Sequence, residues 1–351
     1  MTTLAPSFRP GDIRIRAEIR EELGGSPQGG ICPSRDKGTV VLYSDISAGE
    51  KYGYRDGWLR EGDRLGPIFE YTGAGTRGDQ TFDGTRGSGN AAIALHATDG
   101  RILHLFIAAG KVPGTGIMRH RYIGAFAVDE ERPYVIRRAL DDERTERDVI
   151  VFRLRPIGDF YRSDEDVIPP ARETKVTFVQ DGVGHRPRAP KRRRVVGSRD
   201  ASAATVAAQT RQDLTIEYAA TVPTHTVGRL EVQARGLEDT LVAELFDQTQ
   251  HAVIEPSGSS SRQATKDAFM QLLEISRYVE ATDSRPLRRM VLLPGLPDED
   301  ICGLLAQHNV GIIYRDEAGD FAEFPAAGHA HGFPGSSGFP CADCPALVSQ
   351  G

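Results

Sequence analysis

The residues best equipped for chemistry lie close together. Tyr52, Tyr54, Asp56 and Trp58 are followed by Tyr71-Thr72 and the run Gly73-Ala74-Gly75-Thr76-Arg77-Gly78. Two chemistries use such a set. Three glycines spaced as G-x-G-x-x-G can cradle a nucleotide pyrophosphate when they end a strand and open a helix, whose N-terminus then meets the anion. Aromatic rings beside a carboxylate can instead hold a planar base: the rings stack on its faces and the acid accepts from its exocyclic amine.

The elements needed for the first chemistry are incomplete. A strand precedes Gly73, but "DQTFDGTRGSGNAA" after Gly78 is too rich in glycine to be expected as helix. Asp99, at a suitable distance for a ribose acid, falls in an Asp-Gly turn pair, read as the tip of a hairpin in "HATDGRIL". The glycines are therefore read as a loop that turns sharply and brings backbone close to a ligand.

Around this loop, residues 1–158 alternate short apolar runs with Gly, Asp and Pro ("GTVVLYSD", "GPIFEYTG", "AAIALHATDG", "RILHLFIAAG", "RYIGAFAVD", "DVIVFRLRPIG"). That spacing predicts strands and tight turns closing into a barrel or sandwich. Residues 159–200 read as a polar, then basic connector. Residues 201–325 alternate helix and strand, as expected of an α/β sandwich. They begin with an alanine-rich helix and include the amphipathic "RQATKDAFMQLLEISRYV", with Ala268, Leu272, Ile275 and Val279 on one face. Residues 326–351 form a Gly/Pro-rich tail.

The sequence has 351 residues and a net charge of −6, which by itself argues against a nucleic-acid partner. Its distribution argues otherwise: residues 186–199 carry Arg186, Arg188, Lys191, Arg192, Arg193, Arg194 and Arg199 and no acid. Such a run is either a solvated linker or a contact for DNA phosphate. No apolar run approaches the roughly 20 residues of a membrane span. Four cysteines in a chain of this length do not make a disulfide framework, so a reducing cytoplasm is expected. Cys32 and Cys302 read as small buried residues.

Several phrases resemble one family. "EYTGAGTRGDQ…GNAAIALH", preceded by "GEKYGYRDGWLREGD", is similar to the signature of the SRA (YDG) domain, a reader of methylated cytosine, in the bacterial branch where it is fused to a nuclease. The resemblance spans about residues 10–158 and implies an α+β chain, with an N-terminal SRA-like (PUA-like) β-barrel followed by a C-terminal α/β PD-(D/E)XK-like domain. Function would then follow from base flipping. Extruding a base costs a few kcal/mol, and stacking on aromatics returns about 1–3 kcal/mol per base. Tyr54 and Tyr71 would supply the faces, Asp56 would accept from the cytosine amine, and Thr72 would meet the ring edge beside a niche for the methyl group. The repeated Gly-Thr-Arg-Gly at 75–78 and 84–87 suggests two loops tipped by Arg77 and Arg86, suited to groove insertion. Asp79 and Gln80 join them as DNA-binding candidates with Arg192, Arg193 and Arg194. Arg119, His120 and Arg121 form a further basic spot.

The second region resembles the PD-(D/E)XK nuclease module. That likeness places the first acid at Glu244, with Asp247 the nearest aspartate, the Glu of Glu-x-Lys at Glu255, and a polar helix position at Gln271. Glu244 and Glu255 would be the metal ligands, holding Mg²⁺ if the domain cuts; DNA binding itself calls for no cofactor. The position of the family's Lys is Ser257, which cannot supply its charge. Lys266 or Arg262 could substitute from the neighbouring helix. The expectation is an impaired nuclease-like domain, the alternative an active Mg²⁺-dependent, modification-dependent endonuclease. In the tail, His329, His331, Cys341 and Cys344 are either four zinc ligands or a free thiol pair with bystander histidines. The expected partner is double-stranded DNA containing modified cytosine, with no membrane and with a homodimer left open.

Overall fold

The computed structural model describes residues 6–180 and 202–326. Arg192, Arg193, Arg194, His329, His331, Cys341 and Cys344 lie outside the described residues.

The first half contains β1 (Ile13–Ile15), α1 (Arg16–Leu23), β2 (Ile31–Ser34), β3 (Thr39–Ser44), α2 (Ile46–Gly49), β4 (Gly57–Trp58), β5 (Phe69–Thr72), α3 (Gly84–Ala94), β6 (Ile102–Lys111), β7 (Met118–Val128), β8 (Tyr134–Leu140) and β9 (Glu146–Phe160). The nine strands form one sheet in the order β2-β3-β6-β7-β9-β5-β4, with β1 added on β7 and β8 on β9. The long strand β9 meets β8 through its first half, β5 in the middle and β7 at its end. Its core packs Trp58, Phe69, Phe126 and Phe152 against Ile93 of α3.

Two readings of this half need correction. "GNAAIALH" is helix rather than strand, because α3 runs through it. Its glycines lower helix propensity by about 1 kcal/mol each, but they permit contact a side chain would block: a Cβ on Gly87 would lie 2.4 Å from the carbonyl carbon of Phe82. Consequently Asp99-Gly100 joins α3 to β6 and is not a hairpin tip.

The second half contains β10 (Lys175–Val179), α4 (Ala203–Thr221), β11 (Val227–Gln233), β12 (Thr240–Asp247), β13 (Ala252–Pro256), α5 (Arg262–Thr282), β14 (Arg288–Leu293), α6 (Glu299–Gln307), β15 (Val310–Arg315) and β16 (Phe321–Phe324). They form a seven-stranded sheet in sequence order, parallel at β13-β14-β15 and antiparallel elsewhere. β10 lies in the stretch read as connector, yet its apolar residues Val176 and Phe178 pack into the second core. Parallel neighbours need crossovers, which α5 and α6 supply. Alternation along β14 divides the sheet into two faces. Val291 and Leu293 meet Leu272 and Ile275 of α5 and Leu305 of α6, while Met290 and Leu292 meet Leu214 of α4. Helix starts follow local chemistry: Ser202, Ser261 and Asp298 each accept from the backbone N–H three residues on.

Candidate modified-base pocket and acid pair

The aromatic and acidic residues of the first half converge on a cavity of about 400 Å³ between the end of β3, the segment 45–56 and the start of the glycine loop. Tyr54, Asp56, Tyr71 and Thr72 all line it. Asp56 is held from two sides: Ser44 Oγ donates to its Oδ2 and the Thr72 backbone N–H to its Oδ1, each at 2.8 Å. Burial pushes its carboxyl up to about 6, against the pull of those donors. A carboxylate fixed in orientation at a cavity wall can accept from an amine that enters.

Tyr54 and Tyr71 differ in placement. Tyr54 is half-buried and tilts against Tyr52 with ring centroids 5.7 Å apart, and its hydroxyl donates to the carbonyl of Gly75. The Arg147 guanidinium lies 5.5 Å from its ring centroid and donates to its hydroxyl at 3.2 Å. Tyr71 is 3% exposed and its ring belongs to the hydrophobic core. Its hydroxyl donates to the Gly30 carbonyl at 3.0 Å. Burial, with Asp56 nearby, holds it well above the usual phenol range. Both tyrosines therefore line the cavity, but Tyr71 is almost closed off, and Tyr54 with Tyr52 offers the more open ring surface.

The glycine loop is a braced support. Gln80 is buried; its amide donates to the carbonyls of Gly73 and Gly75 at 2.7 and 3.1 Å and accepts from Ile150 N–H. Asn90 of α3 closes the other side, accepting from Ala74 N–H at 2.7 Å. A Cβ on Gly73 would sit 2.7 Å from Asn90 Oδ1, and Gly75 holds φ +127, which a side chain would strain. A helix does follow the G-x-G-x-x-G stretch, but it begins only at Gly84, and the close approach at Gly73 is filled by Gln80 and Asn90 rather than open to a phosphate.

Of the residues expected on DNA, Asp79 accepts from Asp148 N–H at 2.8 Å and Gln80 is interior. Arg77 is largely exposed but pairs with Asp142 and Glu143. Arg86 stands in the first turn of α3, not on a loop tip, and donates to the Arg77 carbonyl at 2.9 Å. Sequence reasoning missed Ser44, the donor to Asp56, and Tyr43 on the same cavity. "LYSD" ending a buried strand was the available signal.

In the second half, Glu244 and Glu255 stand on the neighbouring strands β12 and β13 and converge on one cation. Strand β12 carries one residue more than its partner at this point: Gly228 and Leu230 pair with Phe246 and Ala243. A bulge of this kind re-aims side chains. Between the two acids lies an unexpected cation. Arg211 of α4 places Nη2 2.8 Å from Glu255 Oε1 and 3.3 Å from Glu244 Oε1. Glu255 is buried, its Oε2 has no partner, and burial pushes its carboxyl up to about 7, with Arg211 opposing and Glu244 adding to the rise.

The other nuclease candidates are elsewhere. Asp247 pairs with the His225 ring at 2.5 Å and accepts from Gln250 N–H. Ser257 donates to the Ser259 carbonyl at 3.0 Å within its own turn. Arg262 is exposed and paired with Asp298 and Asp300. Gln271 is half-buried on α5. Among the described residues no three or more His, Cys, Asp or Glu side chains group as a metal site would require. The donors present do not fit Mg²⁺: the two carboxylates face a guanidinium, and the position for a Lys holds a turn-forming Ser.

A sheet-built module with a braced glycine loop and a Tyr/Asp cavity is the class this geometry defines. The family model described as "ScoMcrA-like, SRA domain" matches residues 11–171, which take in nearly all of the first half. Among solved structures, the sulfur-binding and SRA domains of ScoMcrA complexed with phosphorothioated DNA are 20% identical over 43% of this chain and 40% of that one, with a TM-score of 0.30. The modification-dependent restriction endonuclease AspBHI is 13% identical over 85% and 84%, with a TM-score of 0.28. MspJI in complex with a 27-mer oligonucleotide is 12% identical over 90% and 79%, with a TM-score of 0.26. The match thus spans well under half of the ScoMcrA chain. No curated protein matches the sequence. Among the described residues no helix is long and apolar enough to cross a membrane.

Proposed function

We propose that this chain binds duplex DNA carrying a modified cytosine, extrudes the base into the cavity of Tyr54, Asp56 and Thr72, and carries a nuclease-like second half that does not turn over. The observation that carries the first part is Asp56, oriented by Ser44 and Thr72 at the wall of a cavity with an aromatic side. An ionised Asp56 accepts from the exocyclic amine of cytosine; Tyr54 and Tyr52 offer ring surface for restacking. Arg77 and Arg86 sit beside the glycine loop and supply charge for phosphate once Arg77 exchanges its carboxylate partners for DNA. The second part rests on Arg211 between Glu244 and Glu255 and on Ser257 at the Lys position.

Gel shift with matched duplexes containing C, methyl-C or hydroxymethyl-C tests the reader. A modified duplex should bind at least several-fold more tightly than C at each salt concentration; equal affinity for all three removes the reading. Supercoiled methylated plasmid with Mg²⁺ or Mn²⁺ should stay uncut. Nicking that disappears in Glu255→Ala would favour the active endonuclease instead.

A further inference from the structure

A second cavity, of about 610 Å³, lies between the two halves. The first half contributes His96, Arg132 and Tyr134; the second contributes Ser202, Arg211 and Gln212. Its volume is within the range of small-molecule sites, about 300–1,000 Å³. Arg132 sits on the turn before β8, fixed there by its own N–H bonded to Asp129 Oδ1 at 2.7 Å. Its guanidinium has Nε and Nη2 buried without a hydrogen-bond partner, and so has Nε of Arg211. Burial, then the charges of Arg211 and Arg153, hold Arg132 below the usual guanidinium range.

The acids on the same wall are engaged. Asp129 pairs with Arg155, Glu131 with Arg64, and Glu244 with Arg211, while Glu130 accepts from Ser202 Oγ at 2.7 Å. The N-terminus of α4 opens on the cavity through Ser202 and Thr205, adding the positive end of a 19-residue helix. Buried guanidinium donors left unmet are costly, and an oxyanion satisfies them in the planar, two-pronged manner that arginine favours.

We propose that this cavity is a binding site for a phosphate group, held by Arg132 together with Arg211 and the start of α4. The phosphate could belong to a free ion, a mononucleotide or a DNA backbone; each presents the same oxyanion. The inference is independent of the modified-base reading, which concerns the other cavity.

Isothermal titration of the full chain, in buffer without phosphate, separates the sources. Its arms are inorganic phosphate, adenosine monophosphate and an unmodified duplex. Binding of at least one is expected, weakened at least tenfold in Arg132→Gln and partly kept in Arg132→Lys. Saturation by the ion or the mononucleotide assigns a small ligand. Saturation by the duplex alone, lost in Arg132→Gln, assigns the phosphodiester backbone. If wild-type protein binds none of the three at millimolar concentration, ordered water fills the cavity and the proposal fails. Equal binding by wild type and a folded Arg132→Gln overturns it too. Should Arg132→Gln not fold, the wild-type result and Arg132→Lys decide. Running Asp56→Asn in parallel keeps the outcomes separate, since that change should leave this cavity's binding intact.

Discussion

Asp56 is where stability and binding pull apart. Its folded carboxyl titrates near 6 against an ordinary 3.8. As pH rises from about 4 to about 6 the unfolded chain ionises first, so this group lowers stability across that window and the penalty persists above it. Asp56→Asn removes the charge and keeps an oxygen for the Thr72 N–H. The variant should melt slightly higher than wild type at pH 7.5 and equally at pH 4. It should also lose at least tenfold in affinity for modified duplex, because an amide N–H₂ cannot accept from the cytosine amine. A variant that melts lower at pH 7.5, or binds unchanged, would contradict this assignment. Wild-type affinity should also fall as pH drops through about 6, where Asp56 protonates.

At the scale of elements, α4 meets β12 and β13 through one cation. Removing Arg211 leaves Glu244 and the buried Glu255 facing each other, and breaking a buried pair in this way costs about 3–5 kcal/mol. The cost should shrink as pH falls, since burial holds Glu255 up to about 7 even with Arg211 beside it, loss of Arg211 moves it higher still, and a protonated Glu255 no longer repels Glu244. Thermal melts of Arg211→Ala at pH 6 and pH 8 should therefore show the larger deficit at pH 8. A deficit independent of pH would mean that Arg211 serves packing alone.

At the scale of the molecule, ion pairs tie the two halves together. Arg137 grips the fully buried Glu70 with two bonds at 2.6 and 2.8 Å and also reaches Asp239. Arg229, 1% exposed, donates to Asp148 at 2.7 Å and to Glu231 at 3.0 Å. Glu70 neighbours Tyr71, and Asp148 receives the Gln80 N–H at its carbonyl, so each pair lies one residue contact away from the cavity of Tyr54 and Asp56 or its glycine loop. Arg229→Met should cost about 3–5 kcal/mol and split a single calorimetric transition into two, one per half. A single transition at the wild-type temperature would show the two halves to be coupled by other contacts.

How much of this was legible beforehand follows from the range of the forces involved. Apolar periodicity is local, so β5, β6, β7, β9, α4, α5 and α6 could be read directly, and "YGYRDGW…EYTGAGTRGDQ" carried the SRA resemblance. The residues Tyr54, Asp56, Tyr71 and Thr72 could be named because their chemistry is carried by their side-chain types. What each one does depends on neighbours distant in sequence. Tyr71 is nearly closed off because its ring packs into the core while Gly30 receives its hydroxyl; Gln80 is a brace because β9 lies across it; α3 forms against its own glycine content because they admit the close approach to Phe82. Arg211, mid-helix and unremarkable in sequence, lies between two acids 33 and 44 residues away only after the sheet has bulged and the helix has docked. Local sequence determined most of the elements and the functional groups this protein has; only the tertiary structure decided α3 and β10, which groups face a cavity and which are neutralised, since burial and pairing arise between segments rather than within them.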